Sequence, residues 1–229
     1  MTQEQKLLIE KRIDNEIVDT LCPLIKSAFK LIDEDINSEF TYTYLLSFAT
    51  AIERLQKIIY ILKGIQGTSK IPNIKQFGHD VSKVYNDEIK SIISTISDSE
   101  HNLISNALDI ITSIVLVSKA RYANFDLNES HDSFEIPLHI IKILDNIDTS
   151  TFEPNIDVIN LSRHILSIIL RKYIAYLVDL IWNKKVNSDM EILPLCLKEF
   201  ITAGYVELDL HLEIQNIINR ENEKAKERS

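Results

Sequence analysis

The stretch LLSFATAIERLQKIIYILKG, Leu45 to Gly64, decides the fold class. Its apolar residues Leu45, Phe48, Ile52, Leu55, Ile59 and Leu62 follow one another in steps of three and four, which draws a single stripe along an α-helix. A strand would alternate every second residue. Ser38 or Thr41 stands where it can cap the start, and Gly64 where it can cap the end. Upstream, residues 3–36 read as one helix broken or bent near Pro23, because proline brings no amide hydrogen to the helical ladder. Downstream, GIQGTSKIPNIKQFG (Gly64–Gly78) holds three of the four glycines of the chain and reads as a loop.

The same pattern extends to the C-terminus. A helix is expected from about Gly78 towards Ile96. Another, capped by Ser99, runs through LISNALDIITSIVLVSKA (Leu103–Ala120) and is apolar nearly all round, which places it at the centre of the core. A polar loop over residues 122–133 leads to a shorter helix around 137–147. After a break at Glu153-Pro154 comes a long helical pattern over about 155–185, a second core element, and a last helix pair fills 190–226. Within ELDLHLEIQ (207–215), Leu208, Leu210, Leu212 and Ile214 alternate like a strand, while Leu210, Ile214, Ile217 and Ile218 also fit a helix. A lone strand would have no partner, so helix is preferred there. The terminal ENEKAKERS reads as a charged, fraying end.

Composition agrees with this reading. The 229 residues are 45% hydrophobic and 26% charged, enough to bury a substantial core. Only four glycines and five prolines are present, too few turn formers for a sandwich or barrel. There is no internal repeat, low-complexity tract or divisive linker. The expectation is one all-α domain over residues 1–229, a bundle of about seven to nine helices.

The net charge of −9 disfavours non-specific binding to nucleic acid, which depends on neutralising phosphates. The charge is uneven, however. Between Glu53 and Tyr85, Arg54, Lys57, Lys63, Lys70, Lys75 and Lys83 face only Glu53 and Asp80, a segment of +4 in a chain that is −13 elsewhere. Two cysteines, Cys22 and Cys196, make no disulfide framework and no CxxC pair. With no apolar signal core and no uninterrupted run long enough to span a bilayer, the expectation is a cytoplasmic protein, without membrane partners, whose thiols are reduced. There is no P-loop, GxGxxG or GxSxG, so no nucleotide cofactor is expected and serine hydrolysis has no support. The segment ESHDSFEIPLH gathers Glu129, His131, Asp132, Glu135 and His139, but Pro137 stands between the last two and no metal site is expected.

Three groups of residues can carry chemistry. Glu53 and Lys57 are four apart with the acid first, the favourable order for a helical ion pair, and both lie off the apolar stripe, as does Tyr60. Gly78-His79-Asp80 opens the next expected helix: the glycine permits close approach, Asp80 suits the helix dipole, and His79 can donate to a phosphate, shuttle a proton or bond a neighbouring helix. Arg121-Tyr122 ends the central apolar helix, where a cation complements the last carbonyls or binds a phosphate through both arms.

Together, ERLQKIIYILKG, then GHD-V-x-K-V-Y, then ARY after a further apolar helix, resemble the HEPN superfamily, whose name refers to nucleotide binding in higher eukaryotes and prokaryotes. The likeness is to members with a GHDL-type motif and covers roughly residues 40–125. It implies an antiparallel up-and-down helical core, a nucleotide or RNA partner, a candidate binding site of Glu53, Lys57, His79, Asp80, Arg121 and Tyr122, and a setting in prokaryotic defence or a toxin system. Many HEPN proteins are metal-independent ribonucleases that use an Arg, a polar residue, three to five others, then a His. Here Arg12, Arg54, Arg121, Arg171 and Arg220 have no His at that spacing, and Arg163 is followed at once by His164. The nuclease motif is absent, so catalysis is not assigned. The alternative expectation is a non-enzymatic helical protein that dimerises or docks a protein partner.

Overall fold

The computed structural model describes residues 1–33, 41–68, 70–93, 96–113, 136–183, 185–186, 189–190, 192, 195–202 and 204–228. The fold is all-α, with no strand among the described residues. Helix α1 (Gln3–Glu16) begins with a capping box in which Thr2 and Gln5 satisfy each other's backbone. It passes through a π turn, Ile17–Leu21, into α2 (Cys22–Asp33). The expected bend near Pro23 takes this form: the amide of Cys22 donates five residues back to Ile17, and the wider register accommodates the proline that follows.

Helix α3 (Thr41–Thr68) is longer than its glycine implied. Gly64 is not its cap but lies inside it, where a Cβ would come within 2.7 Å of the Pro72 ring. The chain folds back after Thr68 and lays that ring on the bare backbone. A short 3-10 turn (Ile74–Phe77) then leads to α4 (Val81–Val84) and a π turn (Tyr85–Ile89), well short of the expected helix to Ile96. Ser97, not Ser99, caps α5 (Asp98–Ile111), its hydroxyl accepting from the Glu100 amide at 3.3 Å. Next come α6 (Ile136–Ile141) with a 3-10 extension (Lys142–Asn146), then α7 (Val158–Trp182), capped by Asp157. A 3-10 turn (Leu195–Leu197) precedes α8 (Lys198–Thr202), and α9 (Leu210–Glu227) closes the fold. The ambiguous 207–215 segment is helical from Leu210, with Asp209 as its cap, and α9 continues into the charged tail as far as Glu227.

The centre of the bundle is α7, not α5. Every residue from Leu170 to Ile181 is buried, and α7 packs against α2, α3, α5, α6, α8 and α9. Helix α5 is amphipathic, with Leu103, Ile104, Ala107 and Leu108 inward and Asn102 and Asp109 exposed, while residues 114–120 of the expected apolar helix lie outside the described residues. One continuous apolar core takes in residues from Ile13 to Ile218. The charged residues of α7 are accommodated by partners. The Arg171 guanidinium donates to the Phe29 carbonyl at 2.8 Å and the Tyr205 hydroxyl at 3.0 Å. Lys172, 3% exposed, pairs with Glu100 of α5 at 2.6 Å and donates to the Leu208 carbonyl just before α9. The Tyr176 hydroxyl completes the group by donating to Glu100 at 3.2 Å.

Cys22 and Cys196 are joined in a disulfide, which overturns the expectation of free thiols. Two residues 174 apart in sequence meet with their Cα atoms 6.3 Å apart, within the normal reach of a disulfide. Among the described residues no helix is long and apolar enough to cross a membrane.

The buried Lys172–Glu100 pair generates a stability prediction. Lys172→Ala strands a buried carboxylate and lowers unfolding free energy by about 3–5 kcal/mol, whereas Lys172→Met combined with Glu100→Gln loses less than half of that. Denaturant titration of both variants checks it, and equal losses would show that the pair is not the source.

Candidate functional site

The site is built on the outer face of α3. Beside the stripe that fills the core runs a second row, Thr50, Glu53, Arg54, Lys57, Ile58 and Ile61, on one flank of the helix, with Ile58 itself joined to the core. With Glu16 from the end of α1, Ile74 from the 3-10 turn and His79, these residues line an open cleft of about 380 Å³. Its wall of Ile58, Ile61 and Ile74 is apolar, and its polar groups come in pairs. Arg54 forms an ion pair with Glu16. Glu53 receives Lys57 Nζ on Oε1 at 2.5 Å and His79 Nδ1 on both oxygens, at 3.0 and 3.2 Å. Glu53 is the most buried of the three, its side chain 15% exposed against 23% for Lys57 and 54% for His79.

The Gly-His-Asp triplet is what delivers the imidazole there. Gly78 has φ 55° and ψ −121°, and the Asp80 amide donates to the Phe77 carbonyl at 3.1 Å. This is a type II′ turn with glycine at its first central position, the one that demands positive φ. His79 stands at the corner, and Asp80 ends the turn by capping α4, its carboxylate accepting from the Lys83 amide at 2.8 Å. The turn is held from both sides. Tyr60 packs edge-on against Phe77, with ring centroids 4.9 Å apart, and its hydroxyl accepts from Gln76 at 2.7 Å. Gln56, fully buried on α3, donates to the Val81 carbonyl at 3.0 Å and to the Tyr173 hydroxyl of α7 at 2.8 Å.

Three of the six residues expected from the sequence therefore meet: Glu53, Lys57 and His79. Asp80 is the turn's closing cap and does not line the cleft. Arg121 and Tyr122 lie outside the described residues, as do Glu129, His131, Asp132 and Glu135 of the histidine-acid segment. Comparison with protein-family models, curated proteins and solved structures finds no match.

Sequence reasoning missed Gln56, Arg54 and the isoleucine wall. The helical wheel of α3 contained Arg54, Ile58 and Ile61, since residues 50, 53, 54, 57, 58 and 61 share one flank, whereas Gln56 faces the core. Glu16 and Ile74 had no such signal, because they reach the cleft only through tertiary packing. It also missed two histidines, His101, which is buried, and His164, which is half-buried. His101 meets the Tyr85 hydroxyl at 2.5 Å, and His164 on α7 lies 3.4 Å from the buried carboxylate of Glu221. Burial pushes both imidazoles below their ordinary value of 6.5, with Lys90 adding to it at His101 against Asp98 and Glu100, and Arg220, Lys224 and Arg163 adding to it at His164 against Glu221.

Two predictions arise here. Gly78→Ala forces a side chain into a backbone region reserved for glycine and costs about 1–3 kcal/mol, read as a lower denaturation midpoint; an unchanged midpoint would mean that the turn is not strained. Because the folded protein holds His101 and His164 neutral more firmly than the unfolded chain does, the unfolded chain binds more protons below about pH 6.5. Stability is therefore full above that pH and falls as pH drops through it. Thermal melts between pH 7.5 and 5 check this for the wild type and for His101→Gln, which should flatten part of the slope.

Proposed function

We propose that this chain is a HEPN-like helical module that binds a nucleotide, free or within single-stranded RNA, in the cleft along α3, without the Arg-to-His ribonuclease pattern. The observation that carries this reading is the meeting of Lys57 and His79 on one carboxylate oxygen beside an apolar wall of three isoleucines. An apolar wall suits a base, and an ammonium with an imidazole suits a phosphate or ribose. The volume, about 380 Å³, is of the size that takes one nucleotide rather than a duplex. The +4 segment supports an anionic ligand more specifically than its total implies. Lys63 is engaged with Glu88 at 2.9 Å, but Lys70, Lys75 and Lys83 are exposed and make no ion pair among the described residues. They border the turn that presents His79, and so give a polyanion sites beyond the cleft. A cytoplasmic setting, in prokaryotic defence or a toxin system, accords with an RNA ligand; the Cys22–Cys196 disulfide would be unusual there.

A second reading, docking of a protein partner or a second copy, draws on α1. That helix buries only Ile13 and leaves Leu7 and Leu8 66% and 51% exposed.

The test is a binding and cleavage panel of labelled single-stranded RNAs and mononucleotides at low salt. The wild type binds without cleaving, and Lys57→Ala and His79→Ala each weaken binding about tenfold with unchanged circular dichroism. Wild-type protein that binds none of the panel, or variants that lose affinity only by unfolding, would overturn the reading in favour of the protein-docking role.

A further inference from the structure

The cleft's three polar side chains are not equivalent, and their hydrogen bonds determine which atoms are left for a ligand. The ionised Glu53 carboxylate only accepts. His79 Nδ1 lies 3.0 and 3.2 Å from its two oxygens, so that ring nitrogen must carry the hydrogen. In a neutral imidazole the other nitrogen, Nε2, is then a bare acceptor. Nε2 has no partner among the described residues, and the side chain is 54% exposed, so a ligand can reach it. Lys57 uses one of its three N–H donors on the same Glu53 oxygen that His79 approaches. Glu53 thus sets an acceptor and a cationic donor side by side.

We propose that Glu53 is a positioning residue that locks His79 as its Nδ1–H tautomer, so that Nε2 accepts a hydroxyl hydrogen of the ligand while Lys57 binds an adjacent anionic oxygen. This rests on the nucleotide reading of the cleft and narrows it. A hydroxyl next to a phosphate is what a ribose 2′-OH beside a 3′-phosphate offers, and a deoxyribose lacks it. The site therefore selects ribonucleotides over deoxyribonucleotides. A fully buried acceptor left unpaired would enforce a very large preference. His79 is half exposed, and water can replace the missing hydroxyl, so the expected preference is about tenfold.

Two measurements on the full chain test this. The first needs no ligand: long-range proton–nitrogen correlation spectra of nitrogen-15-labelled protein at about pH 8, with the His79 signals assigned by their loss in His79→Ala. The wild type shows hydrogen on Nδ1, and Glu53→Ala moves it to Nε2, the site that free imidazole side chains prefer. Hydrogen on Nε2 in the wild type, or no change in Glu53→Ala, overturns the locking role. The second compares single-stranded ribo- and deoxyribo-oligonucleotides of one sequence. Wild type favours the ribo form about tenfold; Glu53→Ala brings the ratio near one; Lys57→Ala weakens both forms and keeps the ratio. Equal binding by the wild type overturns the hydroxyl inference alone, whereas binding to neither overturns the nucleotide reading beneath it.

Discussion

Burial of α7 on every side is the constraint from which the rest of the architecture follows. A helix with a long fully buried stretch can be apolar all round, but this one carries Arg171, Lys172 and Asp179 inside it. Desolvating an unpaired charge costs several kcal/mol, so each must find a partner, and those of Arg171 and Lys172 lie on other elements. Arg171 takes the Phe29 carbonyl on α2 and Tyr205 ahead of α9. Lys172 takes Glu100 on α5 and the carbonyl of Leu208. Asp179 takes Lys185 just beyond the helix, at 2.5 Å. Apolar packing alone tolerates sliding of one helix on another. These directional contacts do not, so they set the register of α2, α5 and α9 around the central rod.

The cleft inherits its geometry from that arrangement through Gln56. One carboxamide, with no exposure to solvent, joins the hydroxyl of Tyr173 on α7 to the first residue of α4. On the same helix, on the outer flank, stand Lys57, the next residue, and Glu53, one turn before. The distance from the core rod to the imidazole of His79 is thus bridged by a single side chain and a four-residue turn. Neither end has slack: Gln56 is packed inside, and the turn is closed by the Phe77–Asp80 hydrogen bond. A surface histidine held this way keeps its contact with Glu53 at little entropic cost, unlike an ordinary exposed ion pair.

The outline of the fold was legible in the sequence because helical periodicity is a local property. The steps of three and four in α3, the disturbed helical register at Pro23, the break at Glu153-Pro154, and the long run that became α7 all follow from side-chain spacing and proline chemistry. Where the reading failed, a distant segment had intervened. Gly64 has the composition of a helix cap but serves as a landing place for Pro72, eight residues on. Leu103–Ile111 is amphipathic, with Asp109 exposed, and α7 occupies the centre, buried without interruption from Leu170 to Ile181, its charges there satisfied by partners. Ser99 lost the capping role to Ser97, and its hydroxyl instead meets His211 of α9 at 3.0 Å. The two cysteines sat 174 positions apart with nothing in the sequence to say that they meet.

The sequence by itself determined the helical class, the approximate helix positions and the pairing of Glu53 with Lys57, since each depends on residues within a turn or two of one another. It also singled out Gly78-His79-Asp80 as unusual, because glycine is scarce in this chain and stands there beside a histidine and an acid. Only the tertiary structure decided that the triplet is a type II′ turn, that its imidazole reaches across to the carboxylate of Glu53, and that Glu16 and Ile74 complete a cleft around them. The physical reason is range. Propensity, capping and helical ion pairs act over a few residues, whereas the site is assembled by burial, which brings together whichever segments exclude water best, whatever their separation along the chain.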